Sequence, residues 1–112
     1  MSGCTLSTHV LDLENGSPAA NMRVDLLAGS PAQHVSSART NEDGRIGTWT
    51  PAVALAPGEW KLLFHTGDWY AARGTQNFHP SVSIRFVLEA GRSHLHVPLL
   101  LNRFGYSTYR GS

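Results

Sequence analysis

Clusters of Gly, Pro, Asn and Asp divide this chain into short runs in which apolar and polar residues alternate, at a spacing of roughly 10–12 residues. That pattern leaves few architectures open. A period of two puts successive side chains on opposite faces of a strand, and runs this short are too brief for amphipathic helices. In residues 6–13 (LSTHVLDL), Ser7, His9, Leu11 and Leu13 share one face, with Thr8, Val10 and Asp12 on the other. Residues 22–27 carry Val24 and Leu26 on one face; residues 59–66 carry Trp60, Leu62 and Phe64. Residues 34–40 are more polar and suit an edge strand. Residues 45–50 set Ile46 and Thr48 against Arg45, Gly47 and Trp49. Residues 81–88 set Val82, Ile84, Phe86 and Leu88 against Ser81, Ser83, Arg85 and Val87. Residues 67–74 (GDWYAARG) are the one plausible helix, with Asp68 as its cap and Gly74 as its end. About eight strands at this spacing, without a linker, low-complexity tract or repeat, predict an all-β sandwich of two sheets.

Composition narrows the partners. The 112 residues argue for a single domain spanning 1–112, and 41% hydrophobic with 15% charged residues is globular in class. A net charge of +1, without clusters of Lys or Arg, gives no reason to expect nucleic acid or a membrane surface. No apolar run is long enough to span a bilayer, and the first residues lack the basic start and apolar core of a secretory signal. Cys4 is the only cysteine, so no internal disulfide is possible, and a reducing cytoplasm is the expected setting. The run Val97-Pro98-Leu99-Leu100-Leu101 is apolar on both faces, which predicts a second layer over it and hence an oligomer.

The candidate chemistry gathers at the end of the chain. Residues 93–112 (SHLHVPLLLNRFGYSTYRGS) read as a final hairpin and as one wall of a site. His94 and His96 lie two apart in a strand and project from one face, with Leu95 and Val97 on the other. By pattern alone they are as consistent with satisfied polar residues at a sheet surface as with catalysis. Two strand histidines plus a third could bind zinc, but there is no Cys partner and no HExxH spacing to support this. His9 is the other strand histidine with apolar neighbours. Arg45 opens a strand directly after the turn Asn41-Glu42-Asp43-Gly44. An imidazole titrates near neutrality and can act as general base, and a guanidinium holds a planar anion through a fork of donors. Together they describe what hydrolysis of a small planar acid requires. His34, His65 and His79 read as structural.

These residues fall in motifs that resemble a known family. The terminal Tyr109-Arg110-Gly111-Ser112, with His94-Leu95-His96-Val97-Pro98-Leu99-Leu100 and Phe104-Gly105-Tyr106-Ser107-Thr108 before it, looks like the signature of the transthyretin-related 5-hydroxyisourate hydrolases. Leu6-Ser7-Thr8-His9-Val10-Leu11-Asp12 resembles the family's opening motif, and Thr40-Asn41-Glu42-Asp43-Gly44-Arg45 its middle one. The tetrapeptide is the specific part, since the hormone-carrying transthyretins resemble this chain in fold but lack it. His79 departs from the pattern, in which a bulky apolar residue tends to precede the proline.

The resemblance implies two four-stranded sheets with one short helix. It also implies a homotetramer, a dimer of dimers with active sites in a channel where subunits face each other. The implied reaction is hydrolysis of 5-hydroxyisourate to 2-oxo-4-hydroxy-4-carboxy-5-ureidoimidazoline in urate degradation, without cofactor or metal. By matched position, His9, His96 and Arg45 are the expected catalytic set, and His9, Arg45, Tyr109 and Ser112 the expected substrate-binding set. Two other readings remain at this stage, a carrier of a small aromatic ligand and a structural sandwich with no pocket.

Overall fold

The computed structural model describes residues 3–111. One sheet joins β1 (Thr5–Asp12), β8 (His94–Leu101) and β9 (Tyr106–Thr108), with two-residue strands β2 (Ser17–Pro18) and β5 (Arg45–Ile46) along the free side of β1. The other runs in the order β4 (Gln33–Arg39), β3 (Arg23–Ala28), β6 (Gly58–Phe64), β7 (Val82–Leu88). Among the described residues a single helix, α1 (Thr66–Ala71), follows β6. The expected sandwich of two four-stranded sheets is thus a five-stranded sheet facing a four-stranded one, because β2 and β5 are separate short pieces sharing one edge.

The alternation read from the sequence selects the inner faces. In β1 the core side carries Leu6, Thr8, Val10 and Asp12, all buried, and in β8 it carries Leu95, Val97, Leu99 and Leu101. The four-stranded sheet contributes Val24, Leu26, Leu62, Phe64, Val82 and Leu88 to the same core. The buried polar side chains of β1 are satisfied, as burial requires. The Thr8 hydroxyl donates to the Val97 carbonyl at 2.6 Å. The Asp12 carboxylate accepts from the Glu14 backbone N–H at 2.9 Å and from Asn15 Nδ2 at 2.8 Å.

Three local expectations are corrected. The strand expected over 45–50 is only Arg45–Ile46, because Trp49 turns into the core and donates its indole N–H to the Leu6 carbonyl at 2.9 Å. Burying the largest side chain of the segment outweighs the alternation, leaving Gly47 and Thr48 exposed. The helix covers Thr66–Ala71 rather than 67–74. Asp68 does not cap it: His65 holds that position without a side-chain cap bond, and Asp68 stands in the first turn, where its charge complements the helix dipole. So short a helix persists by packing, with Trp69 and Tyr70 both buried.

Phe64 is fully buried between the sheets. Phe64→Ala is expected to lower stability by about 3–5 kcal/mol, read as a fall in the midpoint of chemical denaturation. An unchanged midpoint would contradict the packing described.

Candidate active site

Arg45 is placed by the turn before it. The side-chain oxygen of Asn41 accepts from the backbone N–H groups of Asp43 and Arg45, each at 2.9 Å, folding residues 41–45 onto themselves. Gly44 takes a left-handed conformation at φ +75°, and its carbonyl accepts from the Val10 N–H at 2.7 Å. A Cβ on Gly44 would collide with the Val10 carbonyl oxygen, so this close approach requires glycine. The result is an antiparallel register in which Arg45 stands directly opposite His9. Directly opposed residues share a face of the sheet, so the guanidinium and imidazole emerge on the same side.

His96 reaches that side from β8. β1 and β8 run parallel in unbroken register from Thr5↔His94 to Asp12↔Leu101, with Ser7 opposite His96. The outward face of this pair carries Thr5, Ser7 and His9 on one strand and His94 and His96 on the other. Ser7 Oγ lies 2.8 Å from His96 Nδ1 and 3.0 Å from His94 Nε2, and Thr5 Oγ1 lies 2.6 Å from His94 Nδ1. Further along, Leu11 and Leu100 oppose one another, half-buried, giving the face an apolar end.

The chain terminus crosses next to His96. β9 pairs with β8 at Leu99↔Thr108, and the same register places Tyr109 opposite Pro98 and Gly111 opposite His96. Pro98 has no N–H to donate, so the regular ladder stops there and resumes as an isolated bridge, with the Gly111 N–H donating to the His96 carbonyl at 2.8 Å. A Cβ on Gly111 would fall 2.7 Å from His96 Cδ2, so the chain end passes beside the imidazole only because this residue is glycine.

Of the expected site residues, His9, Arg45 and His96 come together on one sheet face. Tyr109 is 59% exposed and lines a groove with Ile84, Phe86 and Val97 at the rim of the sandwich. Arg110 turns to Glu89 at 3.7 Å. Ser112 lies outside the described residues. Two clefts lie elsewhere, around the turn at Glu89–Ser93. Among the described residues, Arg45 is exposed and His9 and His96 are half-buried, so this face is an open wall rather than an enclosed pocket.

The electrostatics favour neutral imidazoles. Burial lowers the pKa of His9 below its ordinary value, and the neighbouring Arg45 guanidinium lowers it further, with the Asp43 backbone and carboxylate partly opposing. His96 is lowered first by burial, then by Arg45, His9 and His94. A histidine neutral at physiological pH is in the state required of a base. Among the described residues no group of three or more His, Cys, Asp or Glu side chains is arranged to hold a metal ion.

Ser7 and His94 also belong to this cluster. Their positions on the strand faces were readable, but their bonds depend on register between strands almost a full chain apart. The other histidines have structural partners. His65 and His34 approach the buried Asp25 at 2.7 and 3.3 Å, on the other sheet. Burial pushes the Asp25 carboxyl up, but hydrogen bonds from His65, Arg23 and His34 outweigh this and hold it below the usual range. His79 packs edge-on between the rings of Phe78 and Tyr106.

With this geometry in place, similarity to known proteins is informative. The family model described as HIUase/Transthyretin family matches residues 6–111. The chain belongs to this family. It is 44% identical to a 5-hydroxyisourate hydrolase of Mesorhizobium japonicum over 98% of this chain and 94% of that protein. The solved 5-hydroxyisourate hydrolase of Klebsiella pneumoniae superposes with a TM-score of 0.86 at 37% identity, covering 97% of this chain and 94% of that one. Transthyretin from Sparus aurata shares the fold at a TM-score of 0.84 and 22% identity, over 96% of this chain and 97% of that one. The sandwich is thus transthyretin-like. The Mesorhizobium and Klebsiella relatives are both named as 5-hydroxyisourate hydrolases.

Nuclear magnetic resonance titration of the imidazole C2 protons is expected to place His9 and His96 below the free-histidine value of about 6.5. Arg45→Gln removes a cation that disfavours the imidazolium, so both values should rise. If they stay put, the guanidinium does not act on this face.

Proposed function

We propose that this protein is a one-domain enzyme that hydrolyses 5-hydroxyisourate, opening its ring to 2-oxo-4-hydroxy-4-carboxy-5-ureidoimidazoline in urate degradation. The observation that carries the reading is the placement of Arg45 in register with His9, on the face that also holds His96, in a chain whose relatives are named for this activity. His96 and His9 position a water molecule and take one of its protons. The hydroxide formed adds to the ring carbonyl carbon. Arg45 holds the planar ring and neutralises the charge that develops on the carbonyl oxygen. The tetrahedral intermediate collapses by breaking the carbon–nitrogen bond, and the proton taken from water is delivered to the departing nitrogen. The carbonyl carbon remains in the product as its carboxyl group, so atoms and charge balance without a cofactor or metal.

An open sheet face does not exclude bulk water, which the reaction benefits from doing. In this proposal the missing wall is another subunit: the protein is a homotetramer, and the apolar Leu11–Leu100 end of the face lies at the dimer–dimer interface. Tyr109 and Ser112 bind substrate there, with the terminal segment closing the cavity from one subunit or its neighbour. The single cysteine, buried and free, fits a reducing compartment, and the reading places the enzyme in the cytoplasm.

Ultraviolet decay of freshly generated 5-hydroxyisourate should accelerate with protein. His96→Ala should lower kcat by about 10²–10⁴-fold with the denaturation midpoint nearly unchanged. A rate of substrate loss, corrected for the spontaneous reaction, within twofold of wild type would exclude His96 as base. Deletion of residues 109–112 should abolish turnover while leaving a folded tetramer, measured by light scattering. A protein that binds the substrate without accelerating its decay is a carrier instead.

Because both imidazoles have lowered pKa values, the base form persists below the usual histidine range. The acid limb of kcat/KM should therefore lie below about pH 6.5 and move to higher pH in Arg45→Gln. A limb that sits at or above that value in the unmodified enzyme would contradict the assignment.

A further inference from the structure

The outward face of β1 and β8 holds an unbroken line of hydrogen-bonding groups, from the Ser93 carbonyl through Thr5, His94 and Ser7 to His96. The contacts are 3.4 Å from Thr5 Oγ1 to Ser93 O, 2.6 Å to His94 Nδ1, 3.0 Å from His94 Nε2 to Ser7 Oγ, and 2.8 Å from Ser7 Oγ to His96 Nδ1. Each hydroxyl has one proton, and each neutral imidazole has one N–H and one lone pair. A carbonyl can only accept.

These constraints give the line a direction. With the Thr5 hydroxyl taken as donor to the Ser93 carbonyl, its oxygen accepts from His94 Nδ1–H. His94 Nε2 then carries the lone pair and accepts from the Ser7 hydroxyl. With its proton committed, Ser7 Oγ accepts from His96 Nδ1–H. His96 is left with an unprotonated Nε2.

We propose that Thr5, His94 and Ser7 form a directional hydrogen-bond chain that holds His96 in the Nδ1–H tautomer and gives its proton a route toward His94, making Ser7 and His94 positioning residues for the reaction. The inference rests on the hydrolase reading, in which His96 is the base.

The chain also moves charge in a balanced way. When His96 Nε2 takes a proton from water, its Nδ1 proton passes to Ser7 Oγ as the Ser7 proton passes to His94 Nε2. His96 becomes neutral with an Nε2–H, and His94 becomes the imidazolium. The positive charge thus leaves a half-buried position beside Arg45 and His9 for an exposed one at the end of the strand pair. The Nε2–H of His96 can then protonate the departing nitrogen, and the Ser7 and His94 protons return along the same bonds. Base and acid are the two polarities of one chain. The charged and titratable groups around His96 are Arg45, His9 and His94; Asp43 acts on the same face through His9.

The test is nitrogen-15 resonance of histidine-labelled protein together with kinetics. In the wild type at neutral pH, His96 Nδ1 should show a pyrrole-like shift and Nε2 a pyridine-like one. Ser7→Ala should let the tautomers mix and lower kcat by roughly ten- to a hundredfold, the usual scale for a group that orients a working imidazole, with KM little changed. Ser7→Thr restores a hydroxyl and should recover the wild-type tautomer and most of the rate, which guards against misreading a folding defect. His94→Phe removes the acceptor beyond Ser7, frees its hydroxyl to donate to His96 Nδ1, and should move the proton to Nε2. A pyrrole-like Nε2 on His96 in the wild type overturns the proposal. So does Ser7→Ala with unchanged tautomer and kcat. If His96→Ala is inactive in that case, only the chain is disproved; if His96→Ala is also fully active, the assignment of His96 as base fails with it, and the hydrolase reading itself fails only if the wild type does not accelerate 5-hydroxyisourate decay.

Discussion

The parallel ladder between β1 and β8 is the constraint on which the rest of the structure depends. It joins the first strand to the penultimate one across eight consecutive register pairs. Side chains alternate with a period of two, so a slip of one residue would send His96 and His94 into the core and Leu95 and Val97 into solvent. The register is held from the inside, by Val10, Leu99 and Leu101 packed against the opposite sheet and by the Thr8 hydroxyl on the Val97 carbonyl. The candidate catalytic face inherits its precision from that core, although none of its own side chains is part of it.

Two further devices bring the remaining groups to this face. The turn at 41–44 uses one side-chain amide and one left-handed glycine to set Arg45 against His9. Pro98 interrupts the pairing of β8 with the chain end, and Gly111 restores it beside His96. Both glycines stand where a methyl group would strike a neighbour, Val10 in one case and His96 in the other. Their value lies in close approach more than in flexibility.

The arrangement also explains how a base works beside a fixed cation. In the proposed reaction Arg45 meets negative charge on the reacting carbonyl, and the same guanidinium disfavours an imidazolium on His9 or His96. Neutral imidazoles are thereby kept available as bases, at the cost of making a protonated one short-lived. The proposed hydrogen-bonded route toward exposed His94 would relieve that conflict without moving the arginine.

The sequence by itself determined which residues share a strand face: Ser7 with His9, His94 with His96, and Leu62 with Phe64. Alternation is a local property of extended chain, and for the same reason the turn before Arg45 was readable. The family motifs marked His9, Arg45, His96, Tyr109 and Ser112 as a set. Only the tertiary structure decided what those faces meet. The β5 strand ends early because Trp49 gains more by entering the core than by keeping the alternation, and His65 rather than Asp68 begins the helix. His34 and His65 converge on Asp25 from separate elements. The bonds of Ser7 to two histidines nearly ninety positions away, at sequence separations of 87 and 89, depend on inter-strand register. Register between remote strands is chosen by how two inner faces fill one core, which no local propensity encodes.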